Sequence, residues 1–303
     1  MKLRNLIVSL VLLASAQGVR AQDDLLSMLD SMEVKTKEYT YATFKIVRLV
    51  TGHSIEIPGA GEMQLLISHR FGRLNGGPYE FFGLDQANMR LGFEYSLDNR
   101  LCVGVGRSNI RKTYDGFLKY KLLRQAKGKN ASPVTVAWVS SIQANALKWT
   151  EPDRPNFYSS RLSYAHQLLI ARKFNDRISL QLMPTMVHRN LVSSVADQND
   201  VYAMGIGGRF KLTGSVTLNA EYYYVLPGYT ADNFEDCLSL CFDIETGGHV
   251  FQLIFSNSPA MTENMFIAET DGAWQRGDIH FGFNLSRAFM VSEKHRERAL
   301  SHK

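Results

Sequence analysis

Between Asn88 and Arg107 the chain carries an apolar residue at almost every second position. The stretch reads N-M-R-L-G-F-E-Y-S, then L-D-N, then R-L-C-V-G-V-G-R. Side chains of a β-strand alternate between the two faces of the sheet, so this period of two predicts two strands joined by a short turn. One face carries Leu91, Phe93 and Val103, and the other carries charged, polar or very small residues. Because the same alternation recurs along most of the chain, it predicts an all-β fold.

The first 21 residues have the features of an export signal. Lys2 and Arg4 precede an apolar run at 6–16 that is too short to cross a bilayer as a helix. Residues 19–21, Val-Arg-Ala, place small side chains where a signal peptidase reads them. An uncleaved membrane anchor is the weaker alternative. We therefore predict a signal peptide at 1–21 and export of the remaining chain.

About a dozen segments of some ten residues show the alternation, which is the length that a tilted membrane strand needs. Their apolar faces carry aromatic residues near the strand ends, as interface girdles do. In hydrocarbon every backbone amide needs a partner, and a closed sheet provides it. We predict a closed antiparallel up-and-down transmembrane β-barrel of about 12 strands in an outer membrane; a soluble periplasmic lipid-binding barrel is the alternative. The predicted strands are 63–71, 88–96, 100–107, 114–123, 134–142, 161–174, 177–186, 201–212, 215–226, 249–256 and 278–289, with a less regular candidate at 41–49.

The tight turns at 97–99, 175–176 and 213–214 belong on the periplasmic side of such a barrel. This placement makes 63–71 the first strand, leaves 41–49 in a leader, and requires a short extra strand near 265–268. The long segments then lie outside, at 72–87, 147–157, 188–200 and 227–247. The predicted organisation is a signal peptide 1–21, a periplasmic leader segment 22–60, a β-barrel 61–289 and a polar C-terminal tail 290–303.

Four segments resemble a known family: L-I-S-H-R-F-G-R at 66–73, F-G-L-D-Q-A at 82–87, Y-D-G-F-L-K-Y-K at 114–121 and G-D-I-H-F-G-F-N at 277–284. The family is a domain of unknown function found in exported outer-membrane β-barrel proteins of Gram-negative bacteria. The last strand, which leads to Phe289, also resembles the aromatic-ending strand that barrel-assembly machinery recognises. The resemblance implies a barrel in the outer-membrane bilayer and carries no established activity, so it transfers no catalytic residues.

Motifs for catalysis are absent from the sequence: there is no G-x-S-x-G, H-E-x-x-H or P-loop. The glycine stretches at Gly104 and Gly205 lack the dinucleotide fingerprint and lie in predicted strands, where glycine lets an interior pack closely. The net charge of +5 comes without a basic–aromatic platform for nucleic acid. We expect a non-enzymatic protein with no catalytic, cofactor-binding or metal residues.

An outer-membrane lipid hydrolase is the enzymatic alternative. Alternation places His69 and His166 on the lipid face, where a hydrolase acting on lipid would need a base. No serine falls at a convincing separation from either histidine, and residues of an interface girdle explain both positions.

Basic residues outnumber acidic ones on the polar face of the predicted barrel. This excess has two interpretations: a lumen that passes or binds small anions, or a network with the loop carboxylates Asp232, Glu235 and Asp236 that closes the pore. Anchoring of an envelope assembly is a further role open to a barrel of this kind. The candidate lumen-lining residues are Arg70, Arg90, Glu94, Lys119, Lys121, Arg161, Lys173, Arg177, Arg209, Lys211 and Glu221.

The three cysteines allow one prediction of a disulfide. Cys237 and Cys241 lie in the predicted long segment 227–247, and an oxidising envelope favours a bond between them. A metal site there is the alternative, although that segment contains no histidine. Cys102 falls on the face of small and polar residues and is expected to be a packed free thiol.

Overall fold

The computed structural model describes residues 37–128, 130–247 and 249–292. The predicted signal peptide and nearly all of the predicted tail lie outside the described residues. Residues 39–125 with 132–292 belong to one unit, the barrel. A separate small unit includes the described residues 37–38, 126–128 and 130–131. No helix in the described ranges is long and apolar enough to span a membrane.

Twelve strands form the barrel. Each strand pairs antiparallel with the next one along the chain, and the last pairs with the first, so the sheet has no free edge. The predicted fold class, a closed up-and-down antiparallel barrel of about 12 strands, is therefore confirmed. The strands are β1 (Glu62–Arg73), β2 (Ala87–Ser96), β3 (Leu101–Ser108), β4 (Tyr114–Leu123), β5 (Thr135–Ala144), β6 (Leu162–Lys173), β7 (Ile178–Arg189), β8 (Asp200–Lys211), β9 (Val216–Val225), β10 (Cys237–Thr246), β11 (His249–Ser256) and β12 (His280–Met290).

The outer surface of the barrel is apolar because the strands alternate. On β8, Tyr202, Met204 and Ile206 are exposed, whereas Val201 and Ala203, which alternate with them, are buried inside. Aromatic rings stack across neighbouring strands near the ends, as His69 does on Phe283 of β12 with ring centroids 5.1 Å apart. An apolar outer band with aromatic residues at its borders is the arrangement that a lipid environment requires.

The two ends of the barrel differ in their connections. One end, named the turn end, is where β1 begins, and it carries the short turns at 97–100, 174–177 and 212–215. The opposite end, named the loop end, carries most of the longer connections. The turns predicted to share one side therefore do share one end. The loop-end connections are 74–86, 109–113, 145–161, 190–199, 226–236 and 257–279.

Two predicted elements are wrong. The segment 227–247 is not one long loop, because its second half is β10, whose Leu238 and Leu240 alternate with the inward Ser239 and Cys241. The extra strand near 265–268 is instead a helix, α1 (Glu263–Ala268), in the connection between β11 and β12. All six residues of α1 are buried, so its sequence shows no polar face that would indicate a helix. The predicted count of twelve is right because these two errors cancel.

Part of the predicted leader segment 22–60 lies inside the barrel. Its residues 42–58 form a hairpin, here named the plug hairpin. Residues 43–55 of this hairpin are buried, except for Lys45 near its base, which is half-buried. The hairpin turns at Val50 and Thr51, with backbone hydrogen bonds from Leu49 N to Gly52 O and from Ser54 N to Val47 O. Apolar side chains project from both of its faces, which is why its alternation was irregular.

The core of the protein lies inside the barrel. Phe44, Leu49 and Ile55 of the plug hairpin belong to one apolar cluster with small and aliphatic side chains of β5 to β8 and with α1. The barrel interior is thus packed like a protein core over one wall, in contrast with the wet lumen of an open pore. The wall and helix members of this cluster are Ala137, Val139, Ala165, Leu169, Ala171, Met183, Val187, Val201, Ala203, Tyr223, Cys237, Ala260, Met265, Phe266, Ile267 and Ala268.

Candidate functional site: a plugged lumen

The tip of the plug hairpin is bound by one carboxylate of the barrel wall. Glu221, on β9, accepts hydrogen bonds from the backbone amides of Val50 (3.2 Å), Thr51 (2.7 Å) and Gly52 (3.1 and 3.2 Å). Three successive amides that converge on one anion form a nest, and hydrogen bonds to a charged acceptor are the stronger kind. Glu221 is 1 % exposed, so water does not compete for these contacts.

Cationic side chains of the wall bind the backbone oxygens of the plug hairpin. The Lys119 ammonium on β4 donates to Ser54 O at 3.0 Å and to Glu56 O at 2.9 Å. The Arg209 guanidinium on β8 donates to the oxygens of Ala42 and Thr43, each at 2.9 Å. Neutral side chains add to this, since the amides of Gln181, Gln252 and Asn284 donate to the oxygens of His53, Leu49 and Val50.

Glycines on both partners make room for the hairpin. A Cβ built on Gly207 of β8 would lie 2.1 Å from Leu49 Cδ2, and one built on Gly52 would lie 2.1 Å from the Tyr223 hydroxyl. The sequence interpretation of the glycine stretch at Gly205, that it lets the interior pack closely, agrees with these contacts. A larger side chain at Gly207 would compete with Leu49 for its place.

Charged groups of the hairpin and of α1 meet in the middle of the lumen. Arg48 lies 3.1 Å from Glu263 Oε1 and 3.4 Å from Glu94 Oε1 of β2. His53 Nε2 lies 3.3 Å from the same Glu263 oxygen. We name Arg48, His53, Glu94 and Glu263 the central ion cluster. This cluster joins two insertions into the barrel, the plug hairpin from the turn end and α1 from the loop end. All four side chains are buried.

Burial and neighbouring charges determine the protonation of this cluster. The pKa of His53 is well below its ordinary value because of burial first and of the positive Arg48 and Lys119 second, which together outweigh Glu263. For Glu263, burial acts to raise the pKa, but the adjacent His53 and the charge of Arg48 hold it well below the usual range. His53 is therefore neutral and Glu263 ionised in the closed barrel at neutral pH.

Little empty space is left around the plug. A cavity of about 10 Å³ lies among Arg48, Thr51, Arg70, Arg90 and neighbouring side chains, room for about one water molecule. At the turn end, a cleft of about 300 Å³ separates the base of the hairpin from β1, β11 and β12. The lumen is thus open as a cleft at the turn end, and deeper inside the barrel the plug hairpin and the wall side chains fill it.

The structure places the predicted lumen residues at two depths. Six are buried inside the barrel, namely Arg70, Arg90, Glu94, Lys119, Arg209 and Glu221. A seventh, Lys121, lies 3.7 Å from Glu56 of the hairpin. The remaining four lie near the ends: Arg161 at the loop end, where it stacks on Trp149, and Lys173, Arg177 and Lys211 at the turn end.

The carboxylates that balance these cations differ from the predicted ones. Glu235 pairs with Arg276 at the loop end, and Asp236 accepts from the Val225 amide. Asp232 is exposed in the same loop. Besides Glu94 and Glu221, carboxylates that face the lumen are Asp115, which pairs with Arg90 at 2.5 Å, Asp243 on β10, and Glu56 and Glu263 on the hairpin and α1.

Sequence reasoning missed Arg48, His53 and Glu263 because it placed their segments outside the barrel or on a strand. The available signal was local: the run F-K-I-V-R-L-V is followed by T-G-H-S-I-E-I, two apolar stretches around a Thr-Gly turn. A hairpin this apolar requires burial, and a leader outside a barrel provides none.

The predicted disulfide between Cys237 and Cys241 is wrong. Both thiols are free and buried, as is Cys102. The two residues lie four positions apart on β10 and point to the same side, so their Cα atoms are about 13 Å apart in an extended strand. A disulfide needs Cα atoms within about 7 Å.

One serine–histidine pair lies on the outer surface. Ser140 Oγ of β5 accepts a hydrogen bond from Trp138 Nε1 at 2.7 Å and lies 3.0 Å from His166 Nδ1 of β6. The sequence-based expectation that no serine pairs with this histidine is therefore wrong. The pair borders an open apolar groove of about 420 Å³ that also contains Pro184 and Tyr202. No carboxylate of the described residues hydrogen-bonds to His166.

A closed sheet with an apolar exterior and a plugged interior defines a membrane-spanning β-barrel. The chain belongs to the family described as "Membrane bound beta barrel domain (DUF5777)", whose model matches residues 44–289. The matched region starts inside the plug hairpin and includes α1, so both insertions are part of the family domain. The family resemblance predicted from the sequence is confirmed. No curated protein sequence matches the chain.

Several solved structures are similar in fold. The NanC porin is 8 % identical, with a TM-score of 0.46, over 75 % of this chain and 98 % of the porin. An outer membrane channel, COG4313, from Pseudomonas putida F1 is 13 % identical, with a TM-score of 0.44, over 77 % of this chain and 97 % of the channel. The KdgM porin is 9 % identical, with a TM-score of 0.44, over 74 % of this chain and 98 % of the porin. Similarities this low carry no functional assignment.

Proposed function

We propose that the protein is a non-enzymatic channel of a Gram-negative outer membrane, closed at rest by its plug hairpin and opened when the hairpin leaves the lumen. In this arrangement the signal peptide directs export, barrel-assembly machinery inserts the sheet, and the turn end faces the periplasm. Small solutes are the cargo, because the vacated lumen of a 12-stranded barrel is narrow.

The observation that carries this proposal is the way in which the hairpin is attached. Residues 42–58 make no backbone-to-backbone hydrogen bond with any strand among the described residues. Wall side chains bind them instead, through Glu221, Lys119 and Arg209. A segment bound by side chains can leave without opening the sheet, whereas a segment paired into the sheet cannot. The hairpin is therefore separable from the barrel that surrounds it.

Planar-bilayer recordings test this with two neighbouring glycines. Gly207→Val places a branched side chain where Leu49 packs and should raise the open probability strongly over the nearly silent wild type. Gly208→Val is the matched control, because Gly208 is the next residue on β8 and points outward. Heat-modifiability on a gel shows that both variants form closed barrels. A wild type with steady large conductance, or a silent Gly207→Val barrel whose hairpin amides exchange rapidly, would contradict the proposal.

A lipid hydrolase is the second candidate, favoured only by the pair Ser140–His166. Ser140 Oγ accepts from Trp138, so its own proton is directed to His166 Nδ1, as a nucleophile requires. No described carboxylate orients the histidine. Fatty-acid release from mixed phospholipid micelles, lost in Ser140→Ala and retained in Ser163→Ala, would establish this activity, and absence of release in the wild type dismisses it.

A further inference from the structure

The lumen has walls of two kinds, and this bears on what it would carry. On one side of the lumen, strands β5 to β7 present the buried apolar side chains Ala137, Val139, Ala165, Leu169 and Met183 among buried polar ones. Two cations flank this apolar wall, Lys119 on the preceding strand β4 and Arg209 on the following strand β8. Glutamine side chains, Gln143, Gln167 and Gln181, are interspersed among the apolar ones. No acidic side chain of β5 to β7 interrupts the wall.

The two flanking cations have no carboxylate partner. Neither Lys119 nor Arg209 forms an ion pair with a described carboxylate within 4.0 Å, and their partners are backbone oxygens of the hairpin. Arg209 Nε has no hydrogen-bond partner among the described residues. By contrast, Arg90 has Asp115 and Lys121 has Glu56. When the hairpin leaves, Lys119 and Arg209 lose these acceptors, and water or an anionic group must take their place.

The plug hairpin matches both features of the lumen. Its side chains Phe44, Leu49 and Ile55 pack on the apolar wall, and its carbonyl oxygens present partial negative charge to the cations. The resident occupant thus presents apolar side chains to the wall and carbonyl oxygens to the two cations. A solute that takes its place must satisfy the same two demands.

From this juxtaposition we infer that the cargo is an amphipathic organic anion: a carboxylate or sulfonate carried on a short aliphatic or aromatic group. The inference rests on the proposed channel function. The acidic group binds between Lys119 and Arg209, and the apolar group lies against β5 to β7. An inorganic anion leaves the apolar wall wet, and a neutral hydrocarbon leaves both cations unpaired.

Acidic side chains elsewhere in the lumen limit the net charge. Glu221 loses its three amide donors when the hairpin leaves. Arg70, a further buried cation, forms no ion pair within 4.0 Å with a carboxylate of the described residues. Glu94 and Asp243 complete the opposite side. Selectivity therefore arises from the position of Lys119 and Arg209 beside the apolar wall and not from a large overall excess of positive charge.

Block of ion current tests this class of cargo. Gly207→Val barrels in planar bilayers conduct potassium chloride, and three probes are added: hexanesulfonate, methanesulfonate and hexyltrimethylammonium. Hexanesulfonate should halve the current at a concentration at least about tenfold below that of methanesulfonate, since each buried methylene strengthens binding roughly fourfold. Hexyltrimethylammonium, with the same chain and opposite charge, should be ineffective. Bare bilayers control for effects of the hexyl chain on lipid.

Charge-removing variants locate the site. Lys119→Gln and Arg209→Gln, each added to Gly207→Val, should weaken the block by hexanesulfonate about tenfold, whereas Lys112→Gln, in an exposed loop, should not. The same measurements are repeated in barrels opened by Glu221→Gln instead of Gly207→Val. Equal results in the two backgrounds show that the valine side chain does not itself cause the block by hexanesulfonate. Equal block by the two sulfonates, or equal block by the cation, overturns the cargo class and leaves the channel intact. Absence of potassium chloride current in both opened variants overturns the channel and the cargo together.

Discussion

Arg48 of the plug hairpin and Glu263 of α1 form an ion pair of 3.1 Å in the middle of the barrel, although 215 residues separate them in the chain. Arg48 enters from the turn end and Glu263 from the loop end. The pair is buried, so its Coulomb attraction is little screened. Neither residue belongs to a strand, and the two insertions therefore hold each other inside the sheet.

Removing one partner should release both insertions. Glu263→Gln leaves Arg48 with Glu94 alone and should cost about 3 kcal/mol, the lower end for a broken buried pair. Hydrogen exchange of the hairpin amides, followed by mass spectrometry, measures the effect. Combined with Arg48→Gln in a double-mutant cycle, the two changes should be non-additive by more than about 1 kcal/mol. Additive effects would show that the insertions are held independently.

Acidification should loosen the plug hairpin through His53. Its pKa is lowered by burial and by Arg48 and Lys119, so the seated hairpin keeps His53 neutral. In the released hairpin its pKa is about 6.5. Below that pH the released state binds a proton that the seated state does not, so seating is fully stable above pH 6.5 and weakens by up to about tenfold per pH unit below it.

Exchange of the hairpin amides, corrected for the intrinsic pH dependence of exchange, measures this change between pH 7 and pH 5. The lowered pKa of Glu263 acts in the same direction only below its ordinary range near pH 4.3, outside this window. His53→Gln should abolish the dependence. A His188→Gln barrel, altered at the lipid-facing His188–Asp200 pair, should retain it. Persistence of the pH effect in His53→Gln would assign it to another group.

Glu221 should be the strongest single anchor of the hairpin tip. Glu221→Gln keeps the side-chain shape but replaces one accepting oxygen by a donor and removes the charge. Hydrogen bonds to charged groups contribute roughly 1.5–3 kcal/mol each, so exchange of the amides of Val50, Thr51 and Gly52 should accelerate at least about tenfold. Glu151→Gln, in an exposed loop-end connection, is the control. Unchanged exchange at these three amides would mean that tertiary packing alone seats the tip.

The barrel was predictable because its signal is local. Each strand has lipid on one side and the lumen on the other, so alternation in the sequence reports the fold directly, as Leu91 and Phe93 show on β2. The plug hairpin and α1 are enclosed on all sides, and residues such as Val50 and Phe266 then follow no period. The positions of these two segments depend on tertiary packing, and the alternation of residues within a single strand carries no information about it.

The lumen was predictable only in part for the same reason. Alternation identified Lys119, Arg209 and Glu221 as inward-facing, because that property belongs to their own strands. Their partners lie in the plug hairpin, far away in the chain. The spacing of residues in the sequence does not show which residue of the hairpin or of α1 contacts which residue of the wall. Inward-facing glycines indicate more directly where the hairpin packs. Gly207 is an example, because a side chain at this position would collide with Leu49.

A lysine in the apolar outer band should destabilise the barrel according to its depth. Ile206 lies near the middle of β8 and points outward, and Leu212 follows the end of the same strand on the same face. In lipid vesicles, Ile206→Lys should lower the free energy of unfolding by about 2–4 kcal/mol and Leu212→Lys by no more than about 1 kcal/mol, because the cost of a charge is largest at the bilayer midplane. Denaturant titration from both directions measures the difference. Equal costs at the two positions would mean that the outer face of β8 does not lie in hydrocarbon, and a soluble barrel would then explain its apolar surface better than a membrane.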